Sequence, residues 1–196
     1  IAEIYIQSLG KQSSTKFITT RFGNVLGSNG SVIPRFKKQI DQGGPITITH
    51  PEITRYFMTI PEASQLVLEA AGMGKGGEIF VFDMGKSVKI VDLARKMIML
   101  LGMKEDKDIT IVYTGLRPGE KLYEELLANN ENTLTTHHSQ ILIGKVREYD
   151  YAEVKIIIEE LIKSFGTQNN ELIVQRMKDL VPEFKSNNSI FQKLDE

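Results

Sequence analysis

The chain has 196 residues, 41% hydrophobic and 25% charged, which are the proportions of one globular domain able to bury a real core. Its 24 Lys and Arg balance 25 Asp and Glu, so it has no general attraction for nucleic acid or an anionic lipid surface, and any anion site must be local. Cysteine is absent, which excludes disulfides and thiolate metal sites, and no apolar run reaches the roughly 20 residues of a membrane-spanning helix.

Apolar residues at Ile1, Ile4, Tyr5 and Leu9 predict a helix over 1–9 that ends at Gly10. It opens with neither a Met nor a cap, so we expect a helix entered in its middle and a chain taken from something longer. Residues 16–22 are rich in β-branched and aromatic side chains and predict a strand, followed by a Gly/Asn/Ser loop over 23–31. Pro34 opens a helix that runs to about residue 42, where Gly43-Gly44-Pro45 breaks it. Short strands are expected at 46–48 and 56–60. Pro61 then starts a helix through residue 71, with Ala63, Leu66, Val67 and Ala70 on one face.

After a linker at 72–77, residues 78–83 form an apolar run of the kind buried in a parallel sheet. Ser87 is placed to cap a helix over 88–101. A strand at 109–113, a loop at 115–119 and a helix over 120–127 follow, then a polar stretch at 129–138 and a last strand at 140–145. Two amphipathic helices, broken near Gly166, span 151–180, and little pattern follows Pro182. The alternation of strand and helix predicts α/β architecture. The Gly-x-Gly-x-x-Gly fingerprint of a dinucleotide-binding unit is absent from these 196 residues.

Three segments carry chemistry. In Arg21-Phe-Gly-Asn-Val-Leu-Gly-Ser-Asn-Gly-Ser-Val-Ile-Pro-Arg-Phe36 a strand gives way to a loop and then a helix, an arrangement that can aim backbone N–H groups at an anion beyond a strand end. The plain alternative is a connecting loop. Arg55, in Thr49-His-Pro-Glu-Ile-Thr-Arg-Tyr-Phe-Met-Thr-Ile60, lies on a strand that must be partly buried, which is costly for a guanidinium unless an anion or an internal carboxylate meets it. Arg117, in Leu116-Arg-Pro-Gly-Glu-Lys-Leu-Tyr-Glu-Glu125, precedes a Pro-Gly turn, with Glu120 in the first turn of the expected helix. Two arginines on strand-end loops can hold a diphosphate by charge-assisted hydrogen bonds.

Other features are set aside. Met84-Gly85-Lys86-Ser87 mimics the end of a P-loop but lacks its first glycine, since position 80 is Phe. His50 stands alone, and the adjacent His137 and His138 would point to opposite faces of a strand, so no metal site is assigned. The Glu pairs at 124–125 and 159–160 suit solvated helix faces, and no residue of the chain is assigned a catalytic role.

Taken together and in order, these motifs resemble the CapD-like polysaccharide biosynthesis proteins, which are UDP-N-acetylglucosamine 4,6-dehydratases and relatives within the extended short-chain dehydrogenases. The likeness is strong over 1–128 and loose over the tail. It implies the C-terminal part of a Rossmann-like fold. Residues 1–128 would hold the last Rossmann strands and the nucleotide-sugar-binding subdomain, and 129–196 a mobile segment, a short strand and C-terminal helices. It also places the catalytic Tyr-x-x-x-Lys pair, the further acid/base group and the glycine-rich NADP loop upstream of Ile1, so the chain alone should be inactive.

By position, the resemblance puts Phe22 and Asn24 beside the nicotinamide, and Asn24 also beside the sugar diphosphate. Val32, Ile33 and Pro34 would pack on the uridine, and Ile46, Thr47 and Ile48 would line the uracil. Arg55 and Arg117 would grip the diphosphate, with Glu120 reaching the ribose or orienting Arg117. The implied reaction is an internal redox dehydration: hydride leaves C4 for NADP (or NAD), water leaves across C5–C6, and the hydride returns at C6. A C4 or C5 epimerase and a non-catalytic UDP-sugar-binding module are the competing readings. The implied partner is a UDP-sugar rather than nucleic acid, and a homo-oligomer is a candidate assembly. The parent is expected to be anchored in the inner membrane, with this part facing the cytoplasm.

Overall fold

A computed structural model describes residues 1–124 and 133–195. In chain order its elements are α1 (Ala2–Gly10), β1 (Thr19–Arg21), β2 (Asn24–Val25), α2 (Val32–Asp41), β3 (Ile46–Ile48), β4 (Thr54–Arg55), β5 (Phe57–Met58), α3 (Ile60–Met73), β6 (Ile79–Phe82), β7 (Val88–Lys89) and α4 (Ile90–Leu100). They continue with β8 (Ile111–Tyr113), β9 (Thr133–Thr135), β10 (Ile141–Gly144), α5 (Tyr151–Phe165), α6 (Asn170–Leu180) and a 3-10 turn (Ile190–Leu194).

The main sheet runs β1-β6-β10-β9, with β6 parallel to β1 and antiparallel to β10. All four residues of β6, Ile-Phe-Val-Phe, are buried, which is why that strand reads as an unbroken apolar run. Helix α3 covers the sheet: Ala63, Leu66 and Ala70 join Phe80, Phe82 and Ile141 in one core. The helix starts where Thr59 and Glu62 exchange side-chain-to-backbone hydrogen bonds, with Pro61 in the first turn. A second core forms where α2 and α4 pack around β3 and β8, through Phe36, Ile40, Ile46, Ile48, Ala94 and Ile98. In a third, α1 meets the helical tail through Ile4, Val154 and Leu180.

The structure corrects several expectations. Residues 120–124 are irregular, with a bend at 122–123, rather than the start of a helix, and 125–127 lie outside the described residues. Tertiary pairing decides this: Thr54 N donates to Leu122 O at 3.2 Å and Tyr56 N to the Glu124 carboxylate at 3.3 Å, so the segment runs beside β4. Ser87 caps nothing. Residues 88–89 pair with β4 instead, and α4 begins at Ile90, whose N–H donates to Ile53 O. The loop at 23–31 contains β2, which pairs with β5. Within the polar stretch at 129–138, residues 133–135 form the sheet-edge strand β9, and 129–132 lie outside the described residues. Beyond the division expected between 128 and 129, β10 pairs with β6 and β9 with β10. No helix among the described residues is long and apolar enough to cross a membrane.

Candidate functional site

The carboxyl end of β1 runs directly into Phe22, Gly23 and Asn24. Gly23 is required by crowding, since a Cβ there would stand 2.8 Å from the Tyr56 Cβ. This close approach lets Asn24 N donate to Tyr56 O at 2.9 Å, and Asn24 Nδ2 donates to the same carbonyl at 3.1 Å and to Glu124 Oε2 at 3.2 Å. The chain then turns through Gly27 and Gly30, both at positive φ, and enters α2 behind Ser31.

Beside this turn, at the carboxyl ends of the parallel pair β3 and β8, lies a cavity of about 310 Å³. Asn24, Val32, Thr47, Ile48, Arg55, Arg117 and Glu120 all line it. The two arginines therefore come from segments more than sixty positions apart and meet at one opening. Glu120 organises them. Its Oε1 accepts the Thr49 hydroxyl at 3.0 Å and stands 3.7 Å from Arg55 Nη2, while its Oε2 accepts the Arg117 N–H at 3.0 Å. Arg55 also donates Nη1 to Thr54 O at 2.7 Å and to Leu122 O at 3.5 Å. The Arg117 guanidinium makes no ion pair among the described residues.

Arg35, Thr49, Ser31 and Phe57 also line the cavity and were missed from the sequence. Arg35 Nη2 donates to Thr47 Oγ1 at 2.8 Å. Helical spacing was the available signal, because Val32, Arg35, Phe36 and Gln39 share one face of α2. Three guanidinium groups against one carboxylate leave the lining two positive charges in excess, which suits a doubly charged anion. The Ser31 hydroxyl is buried with no hydrogen-bond partner among the described residues.

Four expected residues lie elsewhere. Phe22 stacks on Phe82, with ring centroids 5.4 Å apart, and lines a separate apolar concavity against α3. The Ile46 side chain is fully buried in the core. Ile33 and the exposed Pro34 sit on α2 outside the cavity lining. A larger cleft of about 760 Å³ exists at the amino ends of β1 and β6, lined by Lys16 and Glu78 among others. Ligands of open α/β sheets sit beyond the carboxyl ends of strands, so the site is assigned to the smaller cavity.

A family model described as polysaccharide biosynthesis protein matches residues 1–146. The chain is 58% identical over 177 residues to the capsular polysaccharide biosynthesis protein CapD of Staphylococcus aureus, covering 90% of this chain and 29% of that protein. It is 40% identical over 189 residues to the UDP-glucose 4-epimerase of Rickettsia rickettsii, covering 92% of this chain and 52% of the relative. Among solved structures, Pen from Bacillus thuringiensis matches with a TM-score of 0.64 and 35% identity, over 76% of this chain and 47% of Pen. The dTDP-glucose 4,6-dehydratase of Bacillus anthracis, solved in complex with NAD, matches in fold with a TM-score of 0.53 and 19% identity, over 62% of this chain and 39% of that one. The fold is thus the Rossmann-like α/β fold of nucleotide-sugar dehydratases and epimerases.

Proposed function

The chain belongs to the polysaccharide biosynthesis protein family, and on that premise we propose that it forms the substrate-binding part of an NADP-dependent 4,6-dehydratase acting on UDP-N-acetylglucosamine for surface polysaccharide or glycan synthesis. One observation carries the reading: Arg55 and Arg117 line a single cavity whose charge excess matches a pyrophosphate. In this reading the two guanidiniums grip the diphosphate, and Glu120 sets the Arg117 backbone and holds Arg55 in place. Val32 and Ile48 offer apolar surface to the uracil, and Thr47 is held by Arg35 and Gln39 at the same wall.

Asn24 is the residue best placed to meet a nicotinamide. Its Nδ2 is spent on Tyr56 and Glu124, and its Oδ1 accepts no hydrogen bond among the described residues, an acceptor that fits a carboxamide N–H. When bound, the cofactor supplies hydride exchange with the sugar. What this chain contributes is binding, orientation and exclusion of water around the diphosphate. The chain spans 29% of the length of CapD, and we place the acid/base residues of the reaction outside it. Membrane attachment of the parent belongs to the same proposal and rests on the wording of residues 49–60.

Calorimetric titration with UDP tests the site. The chain should bind UDP, and Arg55→Ala and Arg117→Ala should each cost on the order of 2–4 kcal/mol where the charge contacts are desolvated. Unchanged affinity in both variants rejects the assignment, and turnover of UDP-N-acetylglucosamine with NADP by this chain alone rejects the division of labour. The rickettsial relative favours a second reading, a C4 or C5 epimerase. The product of the full-length enzyme separates the two, because a dehydratase releases water from the sugar and an epimerase leaves its mass unchanged.

A further inference from the structure

The loop that carries Arg117 is held from two directions. From inside, the Glu120 carboxylate and the Arg117 backbone close a small ring: Arg117 N donates to Glu120 Oε2 and Glu120 N donates to Arg117 O, both at 3.0 Å. From outside, the Gly119 N–H donates to the Asn187 carbonyl at 2.7 Å, and Asn188 Nδ2 reaches the Glu120 carbonyl at 3.5 Å. Residues 187 and 188 form an exposed turn, with Asn188 at φ 56°, on a segment that leaves α6 and returns towards it.

That segment is locked at its base. Lys178, on α6, is 8% exposed, and its ammonium stands 4.8 Å from the Phe184 ring centroid. It donates to Phe184 O at 2.8 Å and pairs with the Asp195 carboxylate. Asp195 in turn accepts the Ser186 N–H at 2.9 and 3.1 Å. A buried ammonium without its carboxylate is strongly disfavoured, so the lock fixes both ends of the loop bearing Asn187.

We propose that this C-terminal strap, residues 181–195, is a positioning element for substrate binding: fastened by the Lys178–Asp195–Ser186 lock, it holds Gly119 through Asn187 and so fixes where Arg117 meets the diphosphate. The inference rests on the reading of Arg117 given above. A loop fastened at Gly119 presents its guanidinium with less backbone freedom to lose when the anion arrives. Released from the strap, the same loop keeps its sequence and its internal ring but must be ordered on binding.

The test uses the whole chain, with UDP and uridine as probes and the exchange protection of the Gly119 amide as an independent readout. Asp195→Asn should lower Gly119 protection and weaken UDP by roughly three- to tenfold, the cost of ordering one more flexible segment. Uridine, which has no phosphates for Arg117, should bind as before. Asn188→Pro, which cannot adopt the positive φ of that turn, should do the same without touching the lock. The proposal is overturned if Gly119 protection is unchanged in both variants, or if protection falls while UDP affinity stays the same. It is also overturned if UDP and uridine weaken equally, since the strap would then be merely structural. Arg117→Ala separates the underlying reading: undiminished UDP affinity in that variant removes the diphosphate assignment, whatever the strap variants do.

Discussion

Arg55 is clamped in place between the Thr54 carbonyl, the Leu122 carbonyl and the Glu120 carboxylate, and its side chain is 19% exposed. Arg117 lines the same cavity from an exposed loop, where its backbone N–H is held by Glu120 and its guanidinium makes no ion pair among the described residues. The contrast separates two ways of building an anion site. A guanidinium fixed by protein partners has already lost its rotamer freedom, so it meets the ligand pre-oriented. A free one keeps up to about 2 kcal/mol of side-chain entropy that binding must remove. In the proposed reading Arg55 therefore serves the scaffold as well as the site, and Arg117 the site alone.

Arg55→Ala should break this comparison most severely. In the proposed reading it removes one diphosphate contact, on the order of 2–4 kcal/mol of UDP affinity, and it leaves the half-buried Glu120 carboxylate without its cation. Thermal melting should show a loss of stability alongside the calorimetric loss. Arg117→Ala should show the calorimetric loss with the melting temperature unchanged. Equal destabilisation by the two variants would erase the distinction. Glu120→Gln comes next: it keeps the shape but discharges the group that organises both arginines. Stability should fall by about 1.5–3 kcal/mol, the range for hydrogen bonds involving a charged partner, and Arg117→Ala made in that background should cost UDP affinity less than it does in the parent.

The pairing of Arg55 with Arg117 was legible in the sequence because each stands in a segment of unusual composition next to a strand end. The apolar run of β6, the Pro61 start of α3 and the two tail helices were legible for a similar reason: local pattern and tertiary burial agree there. The failures occur where tertiary pairing overrides local preference. Residues 120–124 have helical composition, yet Leu122 and Glu124 are used by the backbone of β4 and the residue after it. Ser87 is a good cap by type, but β7 needs those residues for pairing with β4. Ile46 and Ile48 sit on the same side of a three-residue strand and are both buried, yet only Ile48 lines the cavity, so alternation alone could not rank them. The strap was invisible because its contact with Gly119 runs through a backbone carbonyl, which leaves no mark on residue type.

The smallest effect concerns that strap and depends on pH. The Asp195 carboxyl is held below its ordinary range, first by the hydrogen bond from Lys178 and then by the Ser186 N–H. A carboxyl depressed in the folded state adds stability that is fully present above its unfolded value, about 3.9 for Asp, and is lost as pH falls through the folded value. Protection of the Gly119 amide, expressed against its intrinsic exchange rate, should therefore hold from neutral pH down to about 4 and decline below it. The decline must be read as a difference: the Asp195→Asn chain lacks this carboxyl, and subtracting its profile isolates the lock. A parent and a variant whose Gly119 profiles run parallel throughout the acid range would show that Asp195 fastens the C-terminus without reaching the loop that bears Arg117.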